Sequence, residues 1–178
     1  MTFEKKILAE MPKCYALGMF EGEDTPSFLA AVEKDGPIRR FTLDGEPLET
    51  VTPGPGGVMT ITQVPGRKDQ FLATRKFFSP NFGGDDAAIA SYTKQADGSW
   101  SEQILCDLPY VHRFGILKAA DGQLWVLACS IKGGAETGVK DDWRTPGAVW
   151  AAPLSDNLEQ YTADNQLKLT CVANYQVQ

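Results

Sequence analysis

The chain has a single histidine, His112. Among side chains, only histidine changes charge near neutral pH without help from its surroundings, so His112 is the natural general acid or base. Arg113 follows it directly, and a guanidinium there can hold a carboxylate or an enolate-like oxyanion through parallel hydrogen bonds. Other cations recur. Lys34, Lys76 and Lys132 each stand shortly after one of three related runs, FLAA from Phe28, FLAT from Phe71 and VLAC from Val126. Lys13, Arg75, Lys140 and Arg144 join them, and a set of this kind would suit an anionic ligand. Asp141, Asp142, Trp143 and Arg144 form a second group, in which two carboxylates, a flat aromatic and a guanidinium suit a sugar or another polyol. Each feature also has a plain reading. A lone histidine can be a hydrogen-bonded structural residue, lysines at strand ends can be solvated edge guards, and Trp143 can simply anchor its loop.

The elements that must position these residues are short strands. LPYVHRFGILKAADGQLWVLAC, from Leu108 to Cys129, is the clearest: an apolar run Val111 to Leu117, a turn at Ala120-Asp121-Gly122 and a return through Leu124 to Cys129 make a β-hairpin. The rest of the chain reads the same way. Cys14 to Phe20, Phe28 to Val32, Ile38 to Leu43 and Pro47 to Val51 form a first round. After PGPGG come Val58 to Val64, Phe71 to Thr74, Ala88 to Thr93 and Trp100 to Leu105. The third round adds Ala148 to Ala152 and Leu167 to Val172 to the hairpin. Thr2 to Ala9 reads as a strand or a short helical turn.

The second strands recur at roughly forty to fifty residues, which is the period of a propeller blade. The expected fold is therefore all-β, a β-propeller of four-stranded antiparallel blades, with an all-β sandwich or barrel as the alternative. Three blades are expected in one domain spanning 1–178, at approximately 13–52, 57–106 and 110–173. Three blades cannot close a ring, since propellers have four to eight. An open fan would also expose sheet edges and apolar faces. The expectation is half of a six-bladed ring, completed by a homodimer or by a missing C-terminal half, with residues 1–10 as a latch strand.

In antiparallel blades alternate connections emerge on opposite faces. The turns EGEDTPS, PGRKDQ, AADGQ, LDGE and QADGS share one face with the longer SDNLEQYTADNQ. The other face carries PKC, PGPGG, LPYVHR, EKDGP, RKFFSPNFGGDD and SIKGGAETGVKDDWRTPG. Loops there exceed what a turn requires, and the cations named above lie on it. Long loops on a rigid scaffold are where binding and catalysis concentrate.

Bulk properties narrow the classes of function. A net charge of -6 and a pI near 4.8 argue against a nucleic-acid binder. No run reaches membrane-spanning length, and MTFEKKILAEMPK lacks the apolar core and cleavage site of a secretory signal, so a cytoplasmic protein with no membrane partner is expected. Cys14, Cys106, Cys129 and Cys171 form no CxxC pair and read as reduced, small core residues. GxSxG, GxxxxGK[ST], HExxH and cysteine-histidine clusters are absent.

The phrase VHRFGILKAADGQLWVLAC resembles the repeat unit of FG-GAP-like β-propellers, in which an H-R-F start leads to a DG turn and an apolar strand. More loosely it is similar to the propeller part of aldos-2-ulose dehydratase-like proteins, and that resemblance implies water elimination from keto-sugars using a metal. The DG loops here lack the carboxylate ladder of calcium-binding repeats, so no cofactor is expected. A divalent metal would need ligands from a second chain or missing half. The functional expectation is a propeller that binds a small anionic or sugar-like ligand on its long-loop face. As an enzyme it would be a carbohydrate lyase or isomerase, with His112 as proton carrier and Arg113 or Lys132 on the oxyanion. The alternative is a noncatalytic protein-interaction scaffold.

Overall fold

The computed structural model describes residues 3–78, 83–133 and 143–174. Within them lie twelve strands and one short 3₁₀ helix. The strands form three four-stranded antiparallel sheets, each built from strands consecutive in sequence. Blade one comprises β1 (Cys14–Glu21), β2 (Pro26–Val32), β3 (Ile38–Thr42) and β4 (Pro47–Thr52). Blade two comprises β5 (Ile61–Gln63), β6 (Gln70–Arg75), β7 (Ala88–Lys94) and β8 (Trp100–Asp107). Blade three comprises β9 (Val111–Lys118), β10 (Leu124–Lys132), β11 (Pro146–Pro153) and β12 (Thr170–Asn174). The fold is a β-propeller of which this chain supplies three blades.

Local chemistry explains where the strands reverse. In the β9–β10 turn, Gly122 N–H donates to Ala119 O at 2.9 Å and Ala119 N–H to Gln123 O at 2.8 Å. Gly122 takes φ 92°, which a side chain would disfavour. The Asp121 carboxylate accepts the Gln123 N–H at 3.0 Å, so the aspartate organises the turn. The β3–β4 and β7–β8 turns repeat this backbone pattern at Gly45 and Gly98.

A second repeated device sets where each blade begins. Lys13, Gly57 and Tyr110 have φ of 57°, 66° and 56°. Their carbonyls accept the N–H groups of Glu33, Phe77 and Ile131 at 3.0, 3.1 and 3.1 Å. The approach to each first strand is thereby tied to the far end of the second. The PGPGG linker threads the same region: Gly57 N–H donates to Lys34 O at 3.3 Å, and Lys76 N–H donates to Gly56 O at 2.9 Å. A Cβ on Gly56 would lie 1.9 Å from Lys34 O. Glycine is there because two backbone segments of the chain meet.

Strand alternation gives each blade two apolar faces. Leu29, Ala31 and Ile38 of blade one pack against Phe71, Ala73, Ala90 and Tyr92 of blade two. Leu72 and Ile89, on the opposite side of blade two, pack against Val126, Ala128 and Ala152 of blade three. At the inner end of the first interface Gly18 of β1 lies against Ile61 of β5, where a Cβ would come within 2.9 Å of the isoleucine side chain. Farther out the same interface holds the aromatic cluster Phe20, Phe71, Tyr92 and Trp100.

A fully buried arginine ties this interface together near its outer rim. Arg40 donates to Ser27 Oγ at 2.7 Å, to Asp24 Oδ2 and Glu49 Oε1 at 3.0 Å each, and to Thr25 O at 3.0 Å. Glu49 also accepts from Lys94 Nζ and Trp100 Nε1 of blade two, each at 2.9 Å. One carboxylate therefore bridges two blades, and the buried guanidinium has the partners its desolvation requires.

Three local expectations change. Residues 3–10 form neither strand nor helix; instead residues 5–11 lie over Leu17, Phe28, Ala30 and Phe41 on the outer face of blade one, with Lys6 Nζ donating to Asp44 O at 3.1 Å. That face has no preceding blade, so its apolar surface draws in the chain's own segment. Of the four cysteines, all free thiols, only Cys106 is buried. The long connection before β12 is more than a loop, since its 3₁₀ helix (Leu158–Gln160), capped by Asn157 Oδ1 on Glu159 N–H at 3.0 Å, feeds Leu158, Tyr161 and Leu167 into the core between blades two and three. Among the described residues no helix is long and apolar enough to cross a membrane.

Candidate functional site

The innermost strands β1, β5 and β9 converge at the hub. The repeated left-handed residues fix equivalent positions there: Tyr15 stands two residues after Lys13, Met59 two after Gly57, and His112 two after Tyr110. These three meet. Tyr15 Oη lies 3.3 Å from His112 Nε2, and their ring centroids are 6.2 Å apart at 68°. Arg113 donates to the Met59 carbonyl, and at 3.4 Å to Tyr15 Oη, with its guanidinium 5.2 Å above the Tyr15 ring. Thr60 Oγ1 donates to His112 O at 3.2 Å. Phe77 closes the other side of the imidazole with a centroid distance of 5.3 Å.

This setting favours a neutral imidazole. Burial lowers the pKa of His112, the Arg113 charge lowers it further, and Glu33 opposes both. At neutral pH the ring can accept a proton on one nitrogen while donating from the other. Tyr15 and Arg113 are exposed and His112 is half-buried between them, so a ligand reaching the hub meets a hydroxyl, an imidazole and a guanidinium together.

The other cations take different roles. Lys34 is exposed, and Lys76 is half-buried with φ 58°. Lys34 and Lys132 stand three residues past Ala31 and Cys129, and Phe77 holds that place after Thr74 in blade two. The three lysines therefore do not occupy equivalent positions. Lys132 is only 1% exposed; its ammonium lies 4.3 Å from the Tyr110 ring centroid and 5.0 Å from that of Trp143. Aromatic faces on two sides offset part of its desolvation. Trp143, expected as a sugar platform, is one wall of this enclosure. Tyr110 Oη donates to Asp85 Oδ2 at 2.9 Å, and burial followed by that carboxylate pushes its pKa up to about 12. Arg75 pairs with Glu102, while Lys13 and Arg144 are exposed. Asp141, Asp142 and Lys140 lie outside the described residues. No group of three or more His, Cys, Asp or Glu able to hold a metal occurs among the described residues.

Tyr15 was not singled out from the sequence. The signal was its place two residues after Lys13, matching His112 after Tyr110. A cleft on the long-loop side between blades two and three was likewise missed. Its volume is about 590 Å³, and its lining includes Asp107, Ser130, Thr145, Trp150, Gln166 and Leu169. Its polar atoms are largely engaged with one another. Gln166 Nε2 donates to Asp107 Oδ2 at 2.7 Å, and Ser130 Oγ accepts from Ala148 N–H at 3.2 Å and Trp150 Nε1 at 3.1 Å.

The chain was compared with known proteins. No family model matches it, and no curated protein matches it. Among solved structures it is similar to a thermostable family-43 glycoside hydrolase, with TM-score 0.56 and 11% identity over 93% of this chain and 54% of that one. It is also similar to Kuenenia stuttgartiensis hydrazine synthase, with TM-score 0.52 and 10% identity over 88% of this chain and 41% of that one. At these identities the likeness is one of fold. The chain spans about half the length of the solved structures it matches.

Proposed function

We propose that this propeller binds a small anionic or sugar-like ligand at its hub, with Tyr15, His112 and Arg113 as the polar contacts. The observation that carries the reading is the convergence of these three side chains from blades one and three around a histidine held neutral. Arg113 would take a carboxylate or a sugar oxyanion, and Tyr15 a hydroxyl. The looser resemblance of Val111 to Cys129 to aldos-2-ulose dehydratase-like propellers, and the fold shared with a glycoside hydrolase, support a carbohydrate-related ligand.

The chemistry that suits this trio is proton abstraction beside a carbonyl. A neutral His112 nitrogen takes the proton, the C–H electron pair moves onto the carbonyl oxygen, and Arg113 holds that oxyanion. For an isomerase the hydroxyl proton on the deprotonated carbon passes to the oxyanion, and the imidazolium then returns its proton to the former carbonyl carbon, which leaves the carbonyl one position along. For a lyase it protonates the departing hydroxyl, which leaves as water. Lys132, enclosed between aromatics, is a poorer oxyanion partner than Arg113.

Calorimetry and thermal shift with a panel of uronates, keto-sugars and neutral monosaccharides test the reading. A ligand whose binding is lost in His112→Ala and Arg113→Gln, both folded, supports it. A ligand that binds and shifts melting equally in wild type and His112→Ala would remove it. The noncatalytic scaffold reading draws on one observation, the apolar end faces of the fan, for which the blade repeat offers another explanation.

A further inference from the structure

Position by position, the second strands of the three blades are equivalent. Leu29, Leu72 and Leu127 correspond, as do Ala31, Thr74 and Cys129. In blades one and two these residues face the following blade: Leu29 and Leu72 are each 0% exposed. In blade three no further blade covers the corresponding face among the described residues, and Leu127 is 37% exposed. Trp125 and Leu117 are exposed on the same face, since Trp125 pairs with Leu117 and alternates in phase with Leu127 and Cys129. The reverse side shows the complementary gap. Phe71 and Ala73 of blade two pack on blade one, and Val126 and Ala128 of blade three pack on blade two. Phe28 and Ala30 hold these positions in blade one, with no blade before them.

The segment over Phe28 and Ala30 does not make that end polar. It turns Ile7 outward, 68% exposed, near exposed Leu17 and Met19 of β1. The fan thus ends in two apolar faces of opposite kind, one that accepts a following blade and one that accepts a preceding blade. Most of the exposed large apolar side chains among the described residues lie on them, and exposed patches of this kind mark interaction surfaces.

We infer that the occupant of both faces is a second copy of this chain, with blade three of each protomer packed on blade one of the other to close a six-bladed ring. Continuity with the interfaces inside the chain supports it on the blade-three side, where Leu127 and Cys129 repeat positions buried in those interfaces; on the blade-one side the partner would meet Leu17 and Met19 together with the segment that lies over Phe28 and Ala30. Numbers support it too. Six blades fall within the range of closed propellers, and three do not. A contact between two different faces closes when the rotation returns to its start, and two equal contacts about a two-fold axis do so here. Closure would place the partner's innermost strands across the hub from Tyr15, His112 and Arg113. The inference does not depend on the ligand proposed for that site.

Light scattering and sedimentation of the purified chain test it. The expected result is a dimer whose mass is constant over a wide concentration range. A monomer at micromolar concentration, or a mass that climbs with concentration as in an open chain, would overturn it. Leu127→Glu and Leu17→Glu each place a charge on one end face at exposed sites, so folding should survive. Each alone should weaken self-association by at least about thirtyfold, as loss of a central apolar contact does. Mixed together they should recover dimer, because the mixed pair retains one interface free of both substitutions. Failure to recover dimer on mixing, with both variants folded by circular dichroism, would refute pairing between unlike faces.

Discussion

The hydroxyl of Tyr15 lies 3.3 Å from Nε2 of His112, although the two residues are separated by 97 positions in the chain. Only the convergence of the first and third blades at the hub brings them together. The contact joins the fold to its chemistry, because the same repeat that packs the blades places a hydroxyl beside the one imidazole.

That imidazole should titrate low. As the only histidine it gives an isolated NMR resonance, and its midpoint is expected below the ordinary value of about 6.5. Burial and Arg113 both act in that direction. The folded form binds its proton less readily than the unfolded chain does. The associated stability is therefore complete above the unfolded value and lost as pH falls towards the folded one. Arg113→Gln should move the midpoint upward. An unchanged midpoint would mean that the charge is screened from the ring.

Acid should also loosen the junction of blades one and two. The Arg40 guanidinium beside Asp24 holds its carboxyl well below the usual range. Burial pushes Glu49 up, but hydrogen bonds from Lys94, Trp100 and Arg40 outweigh it, and the net shift is downward. Both groups add stability that is full above about pH 4 to 5 and declines as pH falls through their depressed folded values. The contribution of this network to the urea midpoint should stay level from about pH 7 to pH 5 and fall from there towards pH 3. Arg40→Met should flatten that decline while costing about 3 kcal/mol at neutral pH, near the lower end for breaking a buried pair because Asp24 is half exposed.

Gly56→Ala tests the threading of the linker. At φ 79° and with its Cβ position 1.9 Å from Lys34 O, an alanine cannot be housed without moving backbone. A loss of about 2 kcal/mol or more in urea unfolding is expected. Gly66→Ala provides the comparison: it also has positive φ, but nothing lies within 4 Å of its Cβ position, and it should cost about 1 kcal/mol.

Thiol labelling should separate Cys106 from the rest. Burial, with a smaller contribution from Asp107, pushes its pKa up to about 12, and the thiolate is the reactive form. Cys14, Cys129 and Cys171 are exposed in the single chain, but Cys129 lies on the end face assigned to the partner copy, so Cys171 should react first with a maleimide, with Cys129 shielded by dimerisation and Cys106 labelled only on unfolding. Mass spectrometry of partially labelled protein reads this directly. Rapid labelling of Cys106 in the native state would show that the core between blades two and three opens readily.

All twelve strands were legible because two local signals agreed, alternation in the apolar runs and turn residues between them. The repeat of FLAA, FLAT and VLAC then gave the blade. The hub was half legible. His112 stands out as the only histidine, but its partner Tyr15 has no local mark and emerges only when the blades are aligned on Lys13 and Tyr110. Lys132 misled for the opposite reason. Its sequence neighbourhood is polar and glycine-rich, whereas its enclosure by Tyr110 and Trp143 depends on long-range packing. Cys129 was expected in a core, and its exposure follows from its place on a face that no third neighbour covers.

Gly18 against Ile61 has a consequence for the curvature of the whole assembly. At the hub a bare backbone meets an isoleucine, while farther out the same two sheets are held apart by Phe20, Phe71 and Trp100. That gradient of side-chain bulk makes each junction a wedge, and the wedge angle determines how many blades make a full turn. A larger residue at position 18 would flatten the wedge at its apex. The ring's count is thus encoded in a few side-chain volumes along each blade, and a change of one methyl group at the centre acts on the circumference as a whole.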